Sequence, residues 1–400
     1  MLIANNSPSK KMKSAEYIAL SACTMTLTAL GIDVMLPAFA EVRLHFGLDG
    51  DSTETAQIIS FFFMGQVAQI IFGTLSDRFG RLPIMRIGFP LYIIGGIAAA
   101  FAPSMETMLA ARFVAGMGAS AVFMITVAGV RDRFVGNDMA RIMSMVFTIF
   151  LFTPVLAPFL GMAILSVSSW RTVFLSAPLF GIVVFIWSFR LEESHPTDKR
   201  VPLRWQTFRN AAVMVLTNRR FLRYTTITTL LFTGLSSWVA SSERIVSEIY
   251  GKPELFAWIF ASIGLLMSLT TLMNVRLTTM FGARLTIKGL LISYTCAGVI
   301  LLLLTAWQGD PPNITSFFIL IALLLSINLA VEPNSSALAL EPMGDMTGFA
   351  SSVYGTTFFF VGATLGTIPS SLMVEGIYPL VISMLGIGVI TTIIAFTDTD

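Results

Sequence analysis

Charged side chains are scarce in this chain of 400 residues: Asp, Glu, Lys and Arg together account for 12% and hydrophobic residues for 55%. Soluble domains contain about a quarter charged residues. This small number of charged residues cannot cover the surface of a water-soluble globule of this length. The composition therefore predicts a polytopic membrane protein. The net charge is only +2 and the sequence has no aromatic-basic patch, which excludes nucleic acid as a partner.

Cysteine and histidine are equally rare, with two residues of each. Cys23 and Cys296 fall in apolar segments, and His45 and His195 lie far apart in the sequence, which excludes a disulfide framework and a zinc site. The sequence also lacks the Gly-x-x-x-x-Gly-Lys-Ser/Thr loop typical of ATP use and the Gly-x-Ser-x-Gly elbow of a serine nucleophile. We therefore expect no metal, no cofactor and no enzymatic activity.

Long apolar runs, in contrast, fill most of the chain. A bilayer core about 30 Å thick needs about 20 apolar residues per helix. Runs such as residues 300–304 lack the polar alternation of strands in a membrane barrel, so we predict an all-α membrane protein. Twelve spans are expected, at about residues 17–40, 53–72, 84–102, 106–130, 140–164, 171–189, 221–244, 254–276, 285–306, 315–337, 347–372 and 377–396.

Lysine and arginine divide unequally between the two faces of this topology. Twenty of the 25 fall in segments on one face, four fall on the other, and Arg112 lies within a span. Because cytoplasmic segments carry the excess of basic residues in membrane proteins, we expect both termini to lie in the cytoplasm.

The longest polar interval divides the spans into two sets of six. Its basic and aromatic residues predict a linker with an amphipathic helix that lies on the inner membrane surface. We therefore predict an N-terminal six-helix bundle at residues 1–190, a cytoplasmic linker at 191–220 and a C-terminal six-helix bundle at 221–400. Two related halves with a site between them are typical of secondary transporters.

A charged loop between the second and third spans, residues 73–83, carries the most specific pattern. It reads Gly-Thr-Leu-Ser-Asp-Arg-Phe-Gly-Arg-Leu-Pro. One acid and two arginines are costly in lipid, so the loop lies at a membrane face, and Gly73 and Gly80 leave room for the backbone to turn. The pattern resembles the loop 2–3 signature of the major facilitator superfamily of alternating-access transporters. The alternative is a basic loop that only anchors two helices.

The corresponding loop of the second half echoes this pattern. Phe281-Gly282 corresponds to Phe79-Gly80, whereas Thr279 stands in the place of an acid. The echo supports two related halves, although a loop this degenerate can also arise by chance.

Three further spans extend the resemblance. The fourth places Arg112 before a run of small residues, as in the family's fourth-helix motif. The fifth contains Thr-Pro-Val-Leu-Ala-Pro-Phe-Leu-Gly-Met at residues 153–162, which resembles the Gly-Pro-x-x-Gly-Gly motif of antiporters with Ala157 and Met162 in place of two glycines. The first contains Gly-Ile-Asp-Val-Met-Leu-Pro at residues 31–37, which resembles the bicyclomycin/chloramphenicol-resistance (Bcr/CflA-type) drug:proton antiporters.

This resemblance implies the major facilitator fold and a proton-coupled antiporter of the bacterial inner membrane. Such a protein exports lipophilic or amphiphilic drugs by alternating access. Its expected partners are small-molecule substrates, protons and the lipid bilayer, and the expected state is a monomer. The sequence leaves open a dedicated exporter or importer of one metabolite, such as a siderophore, and more remotely a membrane enzyme or a receptor.

Asp33 is the first candidate for proton coupling. It lies about 16 residues into the first span, roughly 24 Å from its inner end, where a carboxylate is costly unless it faces a cavity or a partner. Arg112 is the expected partner, because the first and fourth helices are neighbours in the fold that the chain resembles. The alternatives are that Asp33 reaches outward to the external interface and that Arg112 is hydrated beside Glu106.

Glu332 is the competing candidate for the proton. Pro333 follows it and predicts a kinked, polar helix within the membrane, which is typical of a binding site. The alternative is a packing kink with a satisfied carboxyl group. We expect the substrate cavity to be lined by Asp33, Met35, Arg112, Met124, Pro154, Pro158, Trp238, Glu332, Asn334, Tyr354 and Phe358.

Two charged groups are expected at the ends of the bundle. Glu243 and Arg244 are predicted to form an external gate at the end of the seventh span. On the inner face, the resemblance implies a conformational latch that holds the outward-open state; the alternative is simple anchoring. The predicted latch consists of Gly73, Asp77, Arg78, Gly80, Arg81, Arg131 and Asp132.

Overall fold

The structure, a computed structural model, describes residues 12–50, 52–200, 205–374 and 376–397. These ranges are almost entirely helical and contain no strand. Eight helices precede the linker: α1 (Ser14–Asp33), α2 (Phe39–Phe46), α3 (Thr55–Gly65), α4 (Gln69–Phe79), α5 (Arg81–Ala100), α6 (Met105–Arg133), α7 (Gly136–Leu165) and α8 (Trp170–Ser188).

The linker contains one helix, α9 (Trp205–Thr217), which exposes the apolar residues Val213 and Leu216 as an interfacial helix does. Seven helices follow it: α10 (Arg219–Arg244), α11 (Phe256–Phe281), α12 (Ala283–Gln308), α13 (Ile314–Leu340), α14 (Thr347–Thr356), α15 (Gly362–Leu372) and α16 (Tyr378–Phe396).

In the described ranges these helices form twelve rods of membrane-spanning length. Ten rods are long and apolar enough to cross a bilayer on their own composition. The other two are α10, which is rich in Ser and Thr, and the rod of α14 and α15, which a π-helical turn at Thr357–Val361 divides. The predicted all-α membrane fold is confirmed.

The first rod is broken inside the membrane. α1 ends at Asp33, and a 3₁₀ segment at Leu36–Ala38 connects it to α2. Pro37 explains the break, because proline has no N–H to donate to the carbonyl four residues earlier, which is that of Asp33. The break therefore frees backbone carbonyls next to a buried acid.

Gly80 and Gly282 occupy equivalent positions in the two halves. Gly80 separates α4 from α5 with φ 101° and ψ 166°, and Gly282 separates α11 from α12 with φ 77° and ψ 158°. A side chain at either position would be strained, because L-residues rarely adopt this backbone conformation. The echo seen in the sequence thus has a structural counterpart.

The helices before and after the linker meet at both ends of the bundle. At the end that carries residues 73–83, the basic face, α4 packs against α14. At the other end, the opposite face, α3 packs against α10 and α15. A third seam joins α7 to α11. The structure is therefore closed at both faces.

Candidate functional site

Asp33 is buried at the break of the first rod. Its exposed fraction is 5%, and no hydrogen bond or ion pair of its carboxyl group occurs among the described residues. Arg43, near the opposite face, lies ten residues further along the chain, which corresponds to about 15 Å of helix. Asp33 is therefore an isolated acid well inside the bundle and does not reach the opposite face.

Arg112 does not form the expected ion pair with Asp33. Its guanidinium donates to the Gly31 carbonyl (Nη2–O 2.7 Å) and the Ile58 carbonyl (Nε–O 3.3 Å), and lies 4.4 Å from the Phe62 ring centroid. Gly31 is in the last turn of α1, where carbonyls lack a helical donor. The side chain is 2% exposed, so hydration beside Glu106 is wrong as well.

A close helix crossing lets Arg112 reach α3. A Cβ on Gly116 would lie 2.0 Å from the Phe62 carbonyl oxygen, and one on Gly65 would lie 2.2 Å from that of Phe113. The two glycines therefore let the backbones of α3 and α6 touch. The arginine of the fourth-helix motif thus ties three helices together through backbone carbonyls.

Gly161 fits against the break beside Asp33. A Cβ there would lie 2.1 Å from the Val34 carbonyl oxygen and 3.2 Å from Cγ of Pro37. Gly161 is the glycine that the fifth span retains at the end of its antiporter-like motif. Its missing side chain allows α7 to pack directly on the non-helical turn that follows Asp33.

Glu332 lies on α13 and accepts a hydrogen bond from the Tyr354 hydroxyl of α14 (O–Oε1 3.4 Å). The residue is partly exposed, and no ion pair to Lys or Arg occurs for it in the described ranges. It belongs to a partly exposed stripe on α13 that also includes Leu329, Pro333 and Ser336. Phe358 follows one turn beyond Tyr354, with the two rings stacked at 6.3 Å.

The other predicted cavity residues fall into two groups. Some lie at the seam where the two halves of the chain meet, and others are packed inside one half. Met124 lies on the seam, with Sδ 4.0 Å from the Ser352 hydroxyl. Pro154 contacts α11, since a Cβ on Gly264 would lie 3.3 Å from its Cβ. Met35 and Pro158 are buried in the first half.

Trp238 and Asn334 do not line a cavity. Trp238 is fully buried and packs edge-on against Phe318 within the second half. The Asn334 amide donates to the Asn274 side chain (2.9 Å) and accepts from the Thr278 hydroxyl (3.0 Å). This asparagine therefore satisfies a polar contact between α13 and α11, so both assignments to the cavity are corrected.

The predicted latch is assembled around Arg81. Its guanidinium bonds to Asp77 (2.6 Å), Asp132 (2.9 Å) and the Ser76 hydroxyl (2.7 Å). Arg78 lies over the ring of Phe79. The cluster thereby connects the ends of α4, α5 and α6.

Arg131 does not belong to this cluster. It is exposed and makes no ion pair or hydrogen bond with the described residues. Arg133 faces inward instead, where it donates to the Glu192 carbonyl and stacks on Tyr17. Arg133 faces inward in place of Arg131 because residues two positions apart on α6 point to different sides of the helix.

The latch also contacts the second half. A Cβ on Gly73 would lie 2.2 Å from the Ser352 hydroxyl oxygen, and one on Gly348 would lie 3.5 Å from a carboxylate oxygen of Asp77. Gly348 is in the first turn of α14, where the helix dipole favours a negative charge. Both contacts therefore lie where the two halves meet at the basic face.

Glu193, just after α8, caps the start of α5. Its carboxylate accepts from the backbone N–H groups of Arg81 (2.9 Å), Leu82 (3.0 Å) and His195 (3.0 Å). Burial acts to raise the pKa of Glu193, but these backbone donors outweigh it and hold the pKa below its ordinary value. The contact is therefore complete at neutral pH and is lost as the pH falls through the lowered pKa.

An ion cluster of Arg43, Glu243, Arg244 and Glu248 closes the opposite face. Arg43 of α2 bonds to Glu243 with both guanidinium nitrogens (3.0 and 3.3 Å) and also pairs with Glu248. Arg244 donates to the carbonyls of Met373 and Val374 and lies 3.4 Å from Glu248. The predicted pair of Glu243 and Arg244 is thus part of a larger cluster that joins both halves.

Sequence reasoning missed Arg43, Glu248 and Glu193, and it included Gly161 only as part of the antiporter-like motif. Arg43 is one of the four basic residues predicted on the less basic face. This rarity was the sequence feature that could have marked it as a candidate. Glu193 stands among polar linker residues, and its partners are backbone groups more than 100 residues earlier. No local pattern marks such a contact.

Known proteins share both the sequence pattern and the fold. Residues 21–367 match the family model described as the Major Facilitator Superfamily. The bicyclomycin resistance protein homolog of Haemophilus influenzae is 26% identical over 373 residues, which cover 92% of each chain. The multidrug resistance protein MdtL of Shigella flexneri is 29% identical over 239 residues, 59% of this chain and 60% of that protein.

Solved structures show the same fold at low sequence identity. The human organic anion transporter MFSD10 matches with a TM-score of 0.67 and 18% identity, over 98% of this chain and 100% of that chain. A D-xylose-proton symporter matches with a TM-score of 0.70 and 14% identity, over 95% and 97%. The chain is a multi-pass membrane transporter rather than an enzyme, and it belongs to the Major Facilitator Superfamily.

Proposed function

We propose that this protein is a proton-coupled antiporter that exports lipophilic or amphiphilic drugs. The observation that carries the proposal is Asp33, a buried acid without a described partner at a broken helix. An acid in such a place is stable when protonated and can release its proton when substrate changes its surroundings. The names of the relatives, which refer to bicyclomycin resistance and multidrug resistance, support drugs as the substrate class.

The proposed location is the bacterial inner membrane, with both termini and the basic face in the cytoplasm. The excess of Lys and Arg on that face supports this orientation. We propose that the protein acts as a monomer, and that the bundles at residues 1–190 and 221–400 move relative to each other about the central site.

Energised inverted membrane vesicles test this function. We expect several chemically unrelated drugs to enter such vesicles, with release of protons from the lumen, and an uncoupler to stop both movements. Vesicles without the protein are the control. Transport that continues after the uncoupler is added, or movement of one metabolite alone, would contradict the proposal.

The two closed faces support alternating access. In this proposal the latch and the Gly73 contact close the cytoplasmic face, and the ion cluster around Arg43 closes the external face. Arg43 bridges two acids of the other half at the external face. A substitution of this arginine should therefore open the external face selectively.

We expect Arg43→Gln to open the external face. The change leaves the buried carboxylate of Glu243 without its two guanidinium hydrogen bonds and leaves Glu248 with Arg244 alone. Truncating one partner of such a buried pair costs about 2–5 kcal/mol. In a background with Cys23→Ala and Cys296→Ala, a cysteine replacing the buried Ser241 should react at least about tenfold faster with an impermeant maleimide.

Glu254→Gln, which alters an exposed acid at the same face, serves as the matched control and should leave the labelling rate unchanged. An unchanged rate in the Arg43→Gln protein would show that the ion cluster does not close this face.

A further inference from the structure

We propose that Glu332, Tyr354 and a neighbouring aromatic cluster recognise a lipophilic organic cation, such as a quaternary ammonium, phosphonium or protonated amine. The aromatic cluster consists of Phe63, Phe232, Phe358 and Phe359. The inference rests on the proposed function and specifies which substrates use this part of the central site.

The first argument is the unbalanced charge. No Lys or Arg of the described residues pairs with Glu332, and its partner Tyr354 offers only a neutral hydroxyl. A carboxylate inside a membrane protein is costly without a counter-charge. A bound cation supplies that charge, whereas a neutral or anionic ligand does not.

The second argument is the aromatic surface beside it. Phe358 stacks on Tyr354, and its ring centroid lies 4.4 Å from that of Phe232 and 4.9 Å from that of Phe359. Phe63, from the other half, lies 5.1 Å from Phe232. Aromatic faces attract cations and also accept the apolar groups that such cations carry. The cluster extends this surface from the carboxylate to the seam between the halves.

The third argument is the backbone that presents the rings. Phe358 and Phe359 lie in the five-residue π-helical turn Thr357–Val361, between two regular helices. Such turns are rare and occur frequently at functional sites. The irregular turn sets two consecutive aromatic rings edge to face beside α10 and α3.

The surroundings also distinguish Glu332 from Asp33. Asp33 is only 5% exposed at the break of the first rod, whereas Glu332 is partly exposed on the stripe of α13. A partly exposed acid beside aromatic rings suits direct contact with a ligand, and a more deeply buried acid suits a proton. We therefore assign substrate charge to the second half and the coupling proton to the first.

Two probes separate these roles: tetraphenylphosphonium, a permanent cation, and chloramphenicol, a neutral compound. We expect Glu332→Gln to weaken binding and proton-driven transport of tetraphenylphosphonium at least about tenfold, as when one partner of a buried charge pair is lost. Chloramphenicol transport should change less than twofold. Glu332→Asp should restore part of the cation transport.

Phe358→Leu should weaken cation binding by roughly 2- to 30-fold, which corresponds to the 0.5–2 kcal/mol of a cation–π contact. Glu54→Gln, at an exposed acid, is the control and should leave both probes unaffected.

The outcomes distinguish this inference from the proposed function. If the wild-type protein moves neither probe under a proton gradient, both fail. If it moves chloramphenicol but not tetraphenylphosphonium, the proposed function stands and the cation site is wrong. Equal loss of both probes in Glu332→Gln, or loss of neither, also overturns the assignment.

Discussion

Asp33→Asn is expected to reduce proton-driven drug accumulation to the background of vesicles without the protein. Asparagine has nearly the same shape but cannot exchange a proton, so the antiport cycle loses its coupling. Because no described cation pairs with Asp33, the change strands no partner charge, and expression and thermal stability should be preserved. Substrate binding in detergent should also persist.

The measurement is proton release from purified protein when substrate is added. The wild type should release protons, and the Asp33→Asn protein should not. Glu332→Gln should still release them with a neutral substrate, and Asp138→Asn, at an exposed acid, is the matched control. Normal release from the Asp33 variant together with loss in the Glu332 variant would move the coupling site to the second half.

Gly73→Leu is expected to abolish at least about nine-tenths of transport by preventing closure of the basic face. The Ser352 hydroxyl lies 2.2 Å from the position of a Cβ at Gly73, so a leucine cannot fit while α4 and α14 touch. Overpacking costs roughly 1–3 kcal/mol. This cost falls on the closed state alone and shifts the equilibrium about 5- to 150-fold toward opening.

Spin labels at Arg141 and Thr279, both exposed on the basic face, report this shift. Their distance distribution should move to longer values in Gly73→Leu. Gly289→Leu is the matched control, because a Cβ on Gly289 meets nothing within 4 Å. An unchanged distribution with full transport would refute closure through Gly73.

The helices themselves were predictable because the bilayer imposes a length on each apolar run. The sixth span was expected at residues 171–189, and α8 occupies Trp170–Ser188. The turn at Gly80 was also predictable, since glycine tolerates its positive φ. Local composition and local backbone preference decide both features.

The site was predictable only in part. Asp33 and Glu332 stood out because acids are rare in spans, and the structure buries the first and pairs the second with Tyr354. The partner of Arg112 was predicted wrongly, since charge complementarity pointed to Asp33. The end of α1 offered a different acceptor, the Gly31 carbonyl in its last turn. Such competition between a carboxylate and a freed backbone carbonyl depends on the tertiary arrangement.

The polar character of α10 has a consequence for how the protein is made. Most of its Ser and Thr side chains are buried in the fold, and Thr228 and Thr233 donate to carbonyls four residues earlier. During synthesis, however, the segment must leave the translocon with less apolar surface than its neighbours offer to lipid. Arg219, Arg220 and Arg223 lie at its basic end, where such residues favour one orientation during insertion. The helices α13 and α16, which pack on it, are synthesised later. Stable insertion of the seventh span therefore waits for helices that the ribosome has not yet completed.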